Sequence, residues 1–259
     1  MNPAQFAAAL RARRQLIGYW SLLDAPVAVE RLARVGYDYI ALDAQHGLFG
    51  YQGMLHNLMA IDTKGSTAVG MVRVEANDPA PIGRALDAGA TGVIVPLVDS
   101  GQDAADAVAA VRYPPLGNRS FGPMRSGLRI GPAPAEAHDQ TVVLAMIETA
   151  NGLANVEEIC ATPGLDGIYV GPSDLRLAIG GASSTDPAVA GEFETALVTV
   201  REAAATAGIA AGIHNPDGAS AAQRIAEGFT FATVASDVVH LEQSARQHLT
   251  AARDTEDPR

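Results

Sequence analysis

Runs of four to six mostly apolar residues, rich in β-branched side chains, recur along the chain at 17–20, 39–42, 68–72, 92–95, 142–147, 167–170, 210–213 and 231–234. Their length and composition predict strands. The stretches between them are alanine-rich, and most are long enough for one helix and two short loops, as at 24–35, 78–88, 101–111 and 192–207. Gly36, Gly89, Gly164 and Gly228 stand where such a stretch ends, just ahead of the next strand. A glycine there can cap the helix and turn the chain back. Eight strand–helix units in series predict an α/β fold of the (β/α)8 TIM-barrel kind, one domain spanning 1–259. The rival is a doubly wound open sheet. It usually carries a glycine-rich turn after an early strand, and none follows Trp20 or Leu42.

Composition narrows the class. A chain of 259 residues, 48% apolar, can bury a full core. Its net charge of −11 disfavours nucleic acid or an anionic membrane as partner. No apolar run approaches the roughly 18 to 20 residues needed to cross a bilayer. The N-terminal stretch 1–15 carries Arg11, Arg13 and Arg14 with no apolar region or cleavage site behind them, so it reads as a short amphipathic helix. Cys160 is the only cysteine and can form no internal disulfide, which suits a reducing, cytoplasmic setting. The acidic tail at 254–259 is expected to fray.

One connection is out of proportion. Residues 113–140 hold five prolines, several glycines and three cations, Arg119, Arg125 and Arg129. Long irregular loops in compact domains are usually functional or disordered. Three cations in an acidic protein favour function, with a solvated loop as the alternative.

Active sites of such barrels lie at the C-terminal ends of the strands. There the sequence places Asp43 through Gly47 after the second strand, Arg73 after the third, Glu148 after the fifth, Gly171 to Asp174 after the sixth and His214 after the seventh. Acid, base and cation thus converge on one rim, which predicts an enzyme. Glu148 and Asp174 would lie close together on neighbouring strands. Such a pair needs a proton, a cation or a metal to offset its repulsion, and all-oxygen ligation suits Mg²⁺ or Mn²⁺. Two independent residues, with Ser173 and Asp174 capping a helix, are the alternative. His46 with Asp43 as partner would make a proton-transfer device, and Asp87 is a further acid that could reach the ring; a structural, hydrogen-bonded histidine is the alternative. Arg73 suits a carboxylate in bidentate fashion, unless it pairs with Glu75 or Asp78.

The single lysine, Lys64, sits in the turn before the third strand, at the wrong rim. No residue is therefore available for a Schiff base, for pyridoxal phosphate or for a Walker-type phosphate loop. A metal is the remaining electrophile.

The stretches Ile17-Gly18-Tyr19-Trp20, Leu42-Asp43-Ala44-Gln45-His46-Gly47, Val72-Arg73, Val93-Ile94-Val95-Pro96, Ile147-Glu148-Thr149 and above all Asp166 to Leu175 resemble the HpcH/HpaI family of class II pyruvate aldolases, 4-hydroxy-2-oxoheptanedioate aldolase-like. The segment Arg112 to Gly117 adds to the likeness, which covers nearly the whole chain. It implies that Glu148 and Asp174 ligate Mg²⁺, Mn²⁺ or a similar ion such as Co²⁺. A 2-oxo acid, pyruvate or a relative such as hydroxypyruvate, would chelate that ion, held by Arg73 and the backbone of Gly171 and Ser173. The ion would stabilise an enolate that adds to an aldehyde, with His46, Asp43 and Asp87 assisting proton transfer. Trp20 and His214 would line the substrate site, His214 towards the aldehyde, where relatives are often apolar. A polar, hydroxylated substrate is therefore expected. The resemblance also implies a homo-oligomer, a hexameric trimer of dimers with a C-terminal helix from 240–253 exchanged between barrels. Two residues depart from the family pattern: Gln45 replaces a glutamate before the histidine, and Met146 a glutamine two residues before Glu148. The competing readings are an acyl-CoA lyase of the malyl-CoA or citryl-CoA type, which would use the arginines of 113–140 for the CoA phosphates, and a non-catalytic barrel that binds an oxo acid.

Overall fold

Eight strands, β1 (Leu16–Ser21), β2 (Tyr39–Asp43), β3 (Val69–Arg73), β4 (Gly92–Val95), β5 (Val142–Ile147), β6 (Gly167–Val170), β7 (Ala210–Asn215) and β8 (Phe231–Ser236), pair in parallel in chain order, and β8 closes onto β1. The computed structural model describes residues 1–253; the acidic tail at 254–259 lies outside the described residues. Helices alternate with the strands: α1 (Pro3–Arg11), α2 (Pro26–Leu32), α3 (Tyr51–Ile61), α4 (Pro79–Asp87), α5 (Gly101–Val111), α6 (Ser126–Arg129), α7 (Pro134–Gln140), α8 (Ala150–Ala154), α9 (Val156–Cys160), α10 (Pro172–Ala178), α11 (Ala190–Ala207), α12 (Gly218–Ala226) and α13 (Asp237–Arg253). This is the closed (β/α)8 barrel predicted from the apolar runs, and the open-sheet rival falls. Among the described residues, no helix is long and apolar enough to cross a membrane.

The apolar runs form strands because both of their faces are buried. Alternate residues such as Ile40, Leu42, Val93, Val95, Ile168 and Val170 pack outward under the helices, while Tyr39, Ala41, Ile94, Leu144, Met146, Tyr169 and Phe231 fill the interior. Ring size inside is matched by missing side chains. A Cβ at Gly18 would overlap the Tyr39 ring, and one at Gly212 the Phe231 ring. Helix α1 plugs the N-terminal mouth with Phe6 set edge-on to Tyr39 at 5.8 Å. Pro3 and an Asn2–Gln5 capping box start it. The glycines read as helix stops all take a positive φ: 124° at Gly36, 101° at Gly89, 85° at Gly164 and 110° at Gly228.

The 113–140 excursion joins α5 to β5 and therefore lies at the N-terminal end of the barrel, away from the catalytic rim. It is less irregular than its prolines suggested, since it contains α6 and α7. Its arginines are committed to structure. Arg119 holds Asp87 at 2.7 Å, Arg125 pairs with Asp62, and Arg129 reaches Asp62 at 2.9 Å. These acids end α4 and cap α3, so the three cations staple the loop to the base of the barrel. The functional role expected for them is corrected accordingly.

Candidate active site

Strand register places Asp43 directly beside Arg73 at the C-terminal ends of β2 and β3. Both are buried. The Arg73 guanidinium grips the carboxylate through Nε, at 2.9 Å from Oδ1, and through a second nitrogen on Oδ2. Trp20 Nε1 donates to Oδ2 at 3.1 Å, and the backbone N–H groups of Gln45 and His46 donate to Oδ1, each at 3.1 Å. Burial alone would raise the Asp43 carboxyl, but Arg73 by hydrogen bond and charge, helped by the His46 N–H and Trp20, holds it below the ordinary carboxylate range. Two expectations change. Asp43 fixes the backbone of the His46 loop and not the imidazole ring, and Arg73 pairs with Asp43 in place of Glu75 or Asp78. One edge of its fork is occupied by Asp43, its centre lies 5.1 Å from the Trp20 ring, and Arg73 lines the cavity.

Across the barrel, Ile147 on β5 and Val170 on β6 are register partners, so Glu148 and the segment Gly171–Asp174 leave the sheet side by side. Glu148 is 2% exposed. Its Oε1 accepts the Leu97 N–H at 2.9 Å, whereas its Oε2 is buried with no hydrogen-bond partner among the described residues. Burial pushes the carboxyl up, the Leu97 N–H opposes this, and the charge of Asp174 adds to the rise. A Cβ at Gly171 would come within 2.5 Å of that free oxygen, so the glycine keeps a space open beside it. Leu97 presents its N–H from a left-handed conformation, φ 54°, while its side chain is 55% exposed. Asp174 lies in the first turn of α10, where it is exposed and makes no hydrogen bond or ion pair with the described residues. The helix has no side-chain cap, so neither Ser173 nor Asp174 serves in that role. A buried unpaired oxygen, a raised carboxyl and a free second carboxylate are the donor set that a hard divalent cation satisfies. Among the described residues, no group of three or more His, Cys, Asp or Glu side chains is placed to hold a metal, so a cation on this pair would have to take its other ligands from water or substrate.

Between these halves lies a cavity of about 260 Å³ lined by Trp20, Leu22, Asp43, His46, Arg73, Met146, Tyr169, Gly171 to Asp174, His214 and Ser236. Tyr169 stacks beneath Trp20 at 5.7 Å, and His214 meets the indole edge-on at 5.4 Å. Burial foremost, with the charge of Arg73, lowers the His214 pKa to about 4 against a small opposing effect of Asp43. His214 therefore enters the cavity as a neutral imidazole. The folded state binds this proton less well than the unfolded chain, so stability is present above about pH 6.5 and is lost as pH falls towards 4. NMR titration is expected to find the ring neutral down to about pH 4, and His214→Leu should flatten the acid limb of the stability profile between those values. His46 stands exposed on the rim. Asp87 does not join it. As the last residue of α4 it lies at the opposite end of the barrel, held by Arg119, so within one chain it cannot orient the His46 ring.

The sequence profile of the HpcH/HpaI aldolase/citrate lyase family matches residues 16–244. The chain belongs to that family. It is 41% identical over 241 residues to a hydroxypyruvate/pyruvate aldolase of Rhizorhabdus wittichii, covering 93% of this chain and 95% of the relative. It is 38% identical over 253 residues to a 5-keto-4-deoxy-D-glucarate aldolase of Klebsiella pneumoniae, with 96% of each covered. A solved HpcH/HpaI aldolase/citrate lyase family protein from Burkholderia cenocepacia superposes with a TM-score of 0.88 at 34% identity, covering 97% of this chain and all of that one. Membership makes the chain a carbon–carbon lyase of the aldolase kind and implies a divalent metal.

Within the family fold, the departures noted in the sequence now have places. Met146 lines the cavity as an apolar floor beside Gly171. Gln45 has its side-chain oxygen buried without a partner. Four site residues were missed from sequence: Leu22, Tyr169, Ser236 and Leu97. Tyr169 sits inside a matched stretch but reads as a core aromatic. Leu97 is legible only in hindsight, as the residue after Pro96 at the end of β4, because an exposed leucine gives no sign of a backbone N–H in use.

Proposed function

We propose that this enzyme catalyses the reversible aldol addition and cleavage between pyruvate, or a related small 2-oxo acid such as hydroxypyruvate, and an aldehyde, with Glu148 and Asp174 holding Mg²⁺, Mn²⁺ or a similar ion. The observation that carries the reading is the buried Glu148 Oε2, unpaired among the described residues, which lies against Gly171, a residue that lines the same cavity as Asp174 and Arg73. A divalent cation bound there would supply positive charge against the keto oxygen and make the neighbouring C–H more acidic.

The other steps belong to the chain. The free N–H groups of Arg73 bind the carboxylate of the 2-oxo acid, and the backbone of Gly171 and Ser173 flanks its oxygens. His46, on the open rim, carries the proton between solvent and the reacting carbon. Trp20, Leu22 and Met146 exclude water from the inner wall. His214, neutral and able both to donate and to accept, faces a substrate hydroxyl. The acyl-CoA alternative loses its support, since Arg119, Arg125 and Arg129 are paired at the far end of the barrel.

The same reading covers assembly and location. Residues 241–253 of α13 are all exposed, Leu241 and Leu249 among them, and only Asp237 of that helix is buried. A helix of 17 residues with no core of its own suits packing against a second copy, in a hexameric trimer of dimers. Buried Cys160 with no partner suits the cytoplasm.

The test is turnover. Purified protein supplied with Mg²⁺ or Mn²⁺ and pyruvate or hydroxypyruvate should consume the oxo acid only when an aldehyde is added, and EDTA should stop it. His214→Leu should turn the preference from hydroxylated to unsubstituted substrates by about tenfold, the scale of one lost hydrogen bond. An unchanged preference would remove His214 from the recognition of hydroxyl groups.

A further inference from the structure

One buried carboxylate has no part in the chemistry above. Asp237 is the first residue of α13 and is 7% exposed, yet it pairs with no cation among the described residues. It is satisfied by neutral donors drawn largely from one short loop. Oδ2 accepts from Ser21 Oγ at 2.9 Å and from the Leu22 and Leu23 N–H groups, each at 3.1 Å. Oδ1 accepts the Leu22 N–H at 3.0 Å and the Val238 N–H at 2.9 Å. The turn that delivers it is costly. The β1–β8 register breaks between Tyr19 and Trp20, and Ala235 adopts φ 47°. A non-glycine residue in that region is strained, and such strain persists only where the surroundings over-determine it.

The loop it grips forms one wall of the cavity. Trp20 and Leu22 line that wall, and Ser236, next to Asp237, joins them. The grip also extends further. Leu22 O accepts the Leu48 N–H at 2.7 Å, and Leu48 follows His46 by two residues in the loop that Asp43 anchors from the other side. Leu23 O in turn accepts from Asn57 on α3 at 3.2 Å. A chain of contacts therefore runs from Asp237 through the Leu22 peptide to the loop carrying His46. The barrel order sets this wall, on β1, β2 and β8, across from β5 and β6, which carry Glu148 and Asp174.

We infer that Asp237 is a positioning residue for the lyase reaction, fixing the Trp20–Leu22 wall and, through Leu22, the His46 loop. The inference rests on the reading proposed above. A carboxylate is the side chain that can take these four donors on acceptor oxygens alone, and an amide in its place would, in either orientation, turn an N–H₂ towards an N–H now held: those of Leu22 and Leu23, or those of Leu22 and Val238.

Asp237→Asn tests it. Misplacing a catalytic wall by an ångström costs on the order of 10²-fold, and the expected loss in kcat/KM is about ten- to a hundredfold, with Mn²⁺ affinity unchanged. Trp20 is the only tryptophan. Its emission should shift in the folded variant and be more readily quenched by acrylamide, which a role confined to stability would not produce. If Asp237→Asn does not fold, Asp237→Glu, which keeps the charge and lengthens the reach, is read in the same way. A folded variant with wild-type kcat/KM and emission would overturn the inference, as would a loss that follows metal affinity in proportion. An inactive wild type would overturn the proposed function instead.

Discussion

Glu148→Gln is expected to remove on the order of 10³-fold in activity while making the metal-free protein more stable. The loss follows from deleting one of two carboxylates that would bear a cation placed to offset developing negative charge. The gain follows from burial. Glu148 is held by one N–H, its second oxygen has no partner, and its carboxyl is raised by burial and by Asp174. Because the folded state binds this proton more tightly than the unfolded chain, the contribution to stability is full at low pH. It is lost as pH rises from the ordinary carboxylate value through the raised one. Thermal unfolding with EDTA should therefore show the wild type weakening over that interval and Glu148→Gln not doing so. Titration with Mn²⁺ should find its affinity much reduced in the variant. A variant that keeps both activity and metal affinity would remove Glu148 from the site.

Arg73→Ala should have an effect of comparable size but of the opposite sign in stability. It takes away the group proposed to bind the substrate carboxylate and also strands Asp43, which is 1% exposed. Breaking a buried pair from one side costs about 3–5 kcal/mol, because the remaining charge is left uncompensated. Activity should fall on the order of 10²- to 10³-fold, partly through substrate binding and partly because the His46 N–H hangs on the same carboxylate. Adding Asp43→Asn to Arg73→Ala should return much of the stability and none of the activity. Arg73→Lys should do neither fully, since an ammonium cannot make the two-point grip and face the cavity as well. Denaturant unfolding beside steady-state kinetics separates these outcomes. A single Arg73→Ala variant with wild-type stability would contradict the buried pairing.

The barrel was readable because its strands are buried on both sides and so appear as uninterrupted apolar runs, and because Gly36, Gly89, Gly164 and Gly228 mark the helix ends. The rim residues were readable for the related reason that Asp43, Arg73, Glu148 and His214 directly follow an apolar run, with His46 and Asp174 a few residues beyond one. Side-chain partnership was much less so. Arg73 was expected to face a substrate carboxylate, with Glu75 or Asp78 as the alternative partner; the carboxylate it pairs with in the protein is Asp43, since partners across strands depend on register and not on nearness in sequence. Asp87 was placed near His46, although a helix C-terminus in a barrel lies at the end opposite the strand C-termini. The arginines of 113–140 looked like a ligand site by charge alone, and Asp62 and Asp87, distant in sequence, neutralise them. The two backbone devices, the Leu97 N–H on Glu148 and the Leu22 N–H on Asp237, leave no trace in side-chain chemistry.

Glu148 and Asp174, in the proposed function, together make the protons next to a 2-oxo group exchangeable. Proton NMR of pyruvate in D₂O measures that directly, with no aldehyde needed. The methyl signal should disappear with the wild-type protein and Mg²⁺ or Mn²⁺, and persist when EDTA is added or when Glu148→Gln replaces the wild type. Exchange that proceeds equally well without a metal, or that survives in Glu148→Gln, would contradict the role proposed for Glu148 and Asp174.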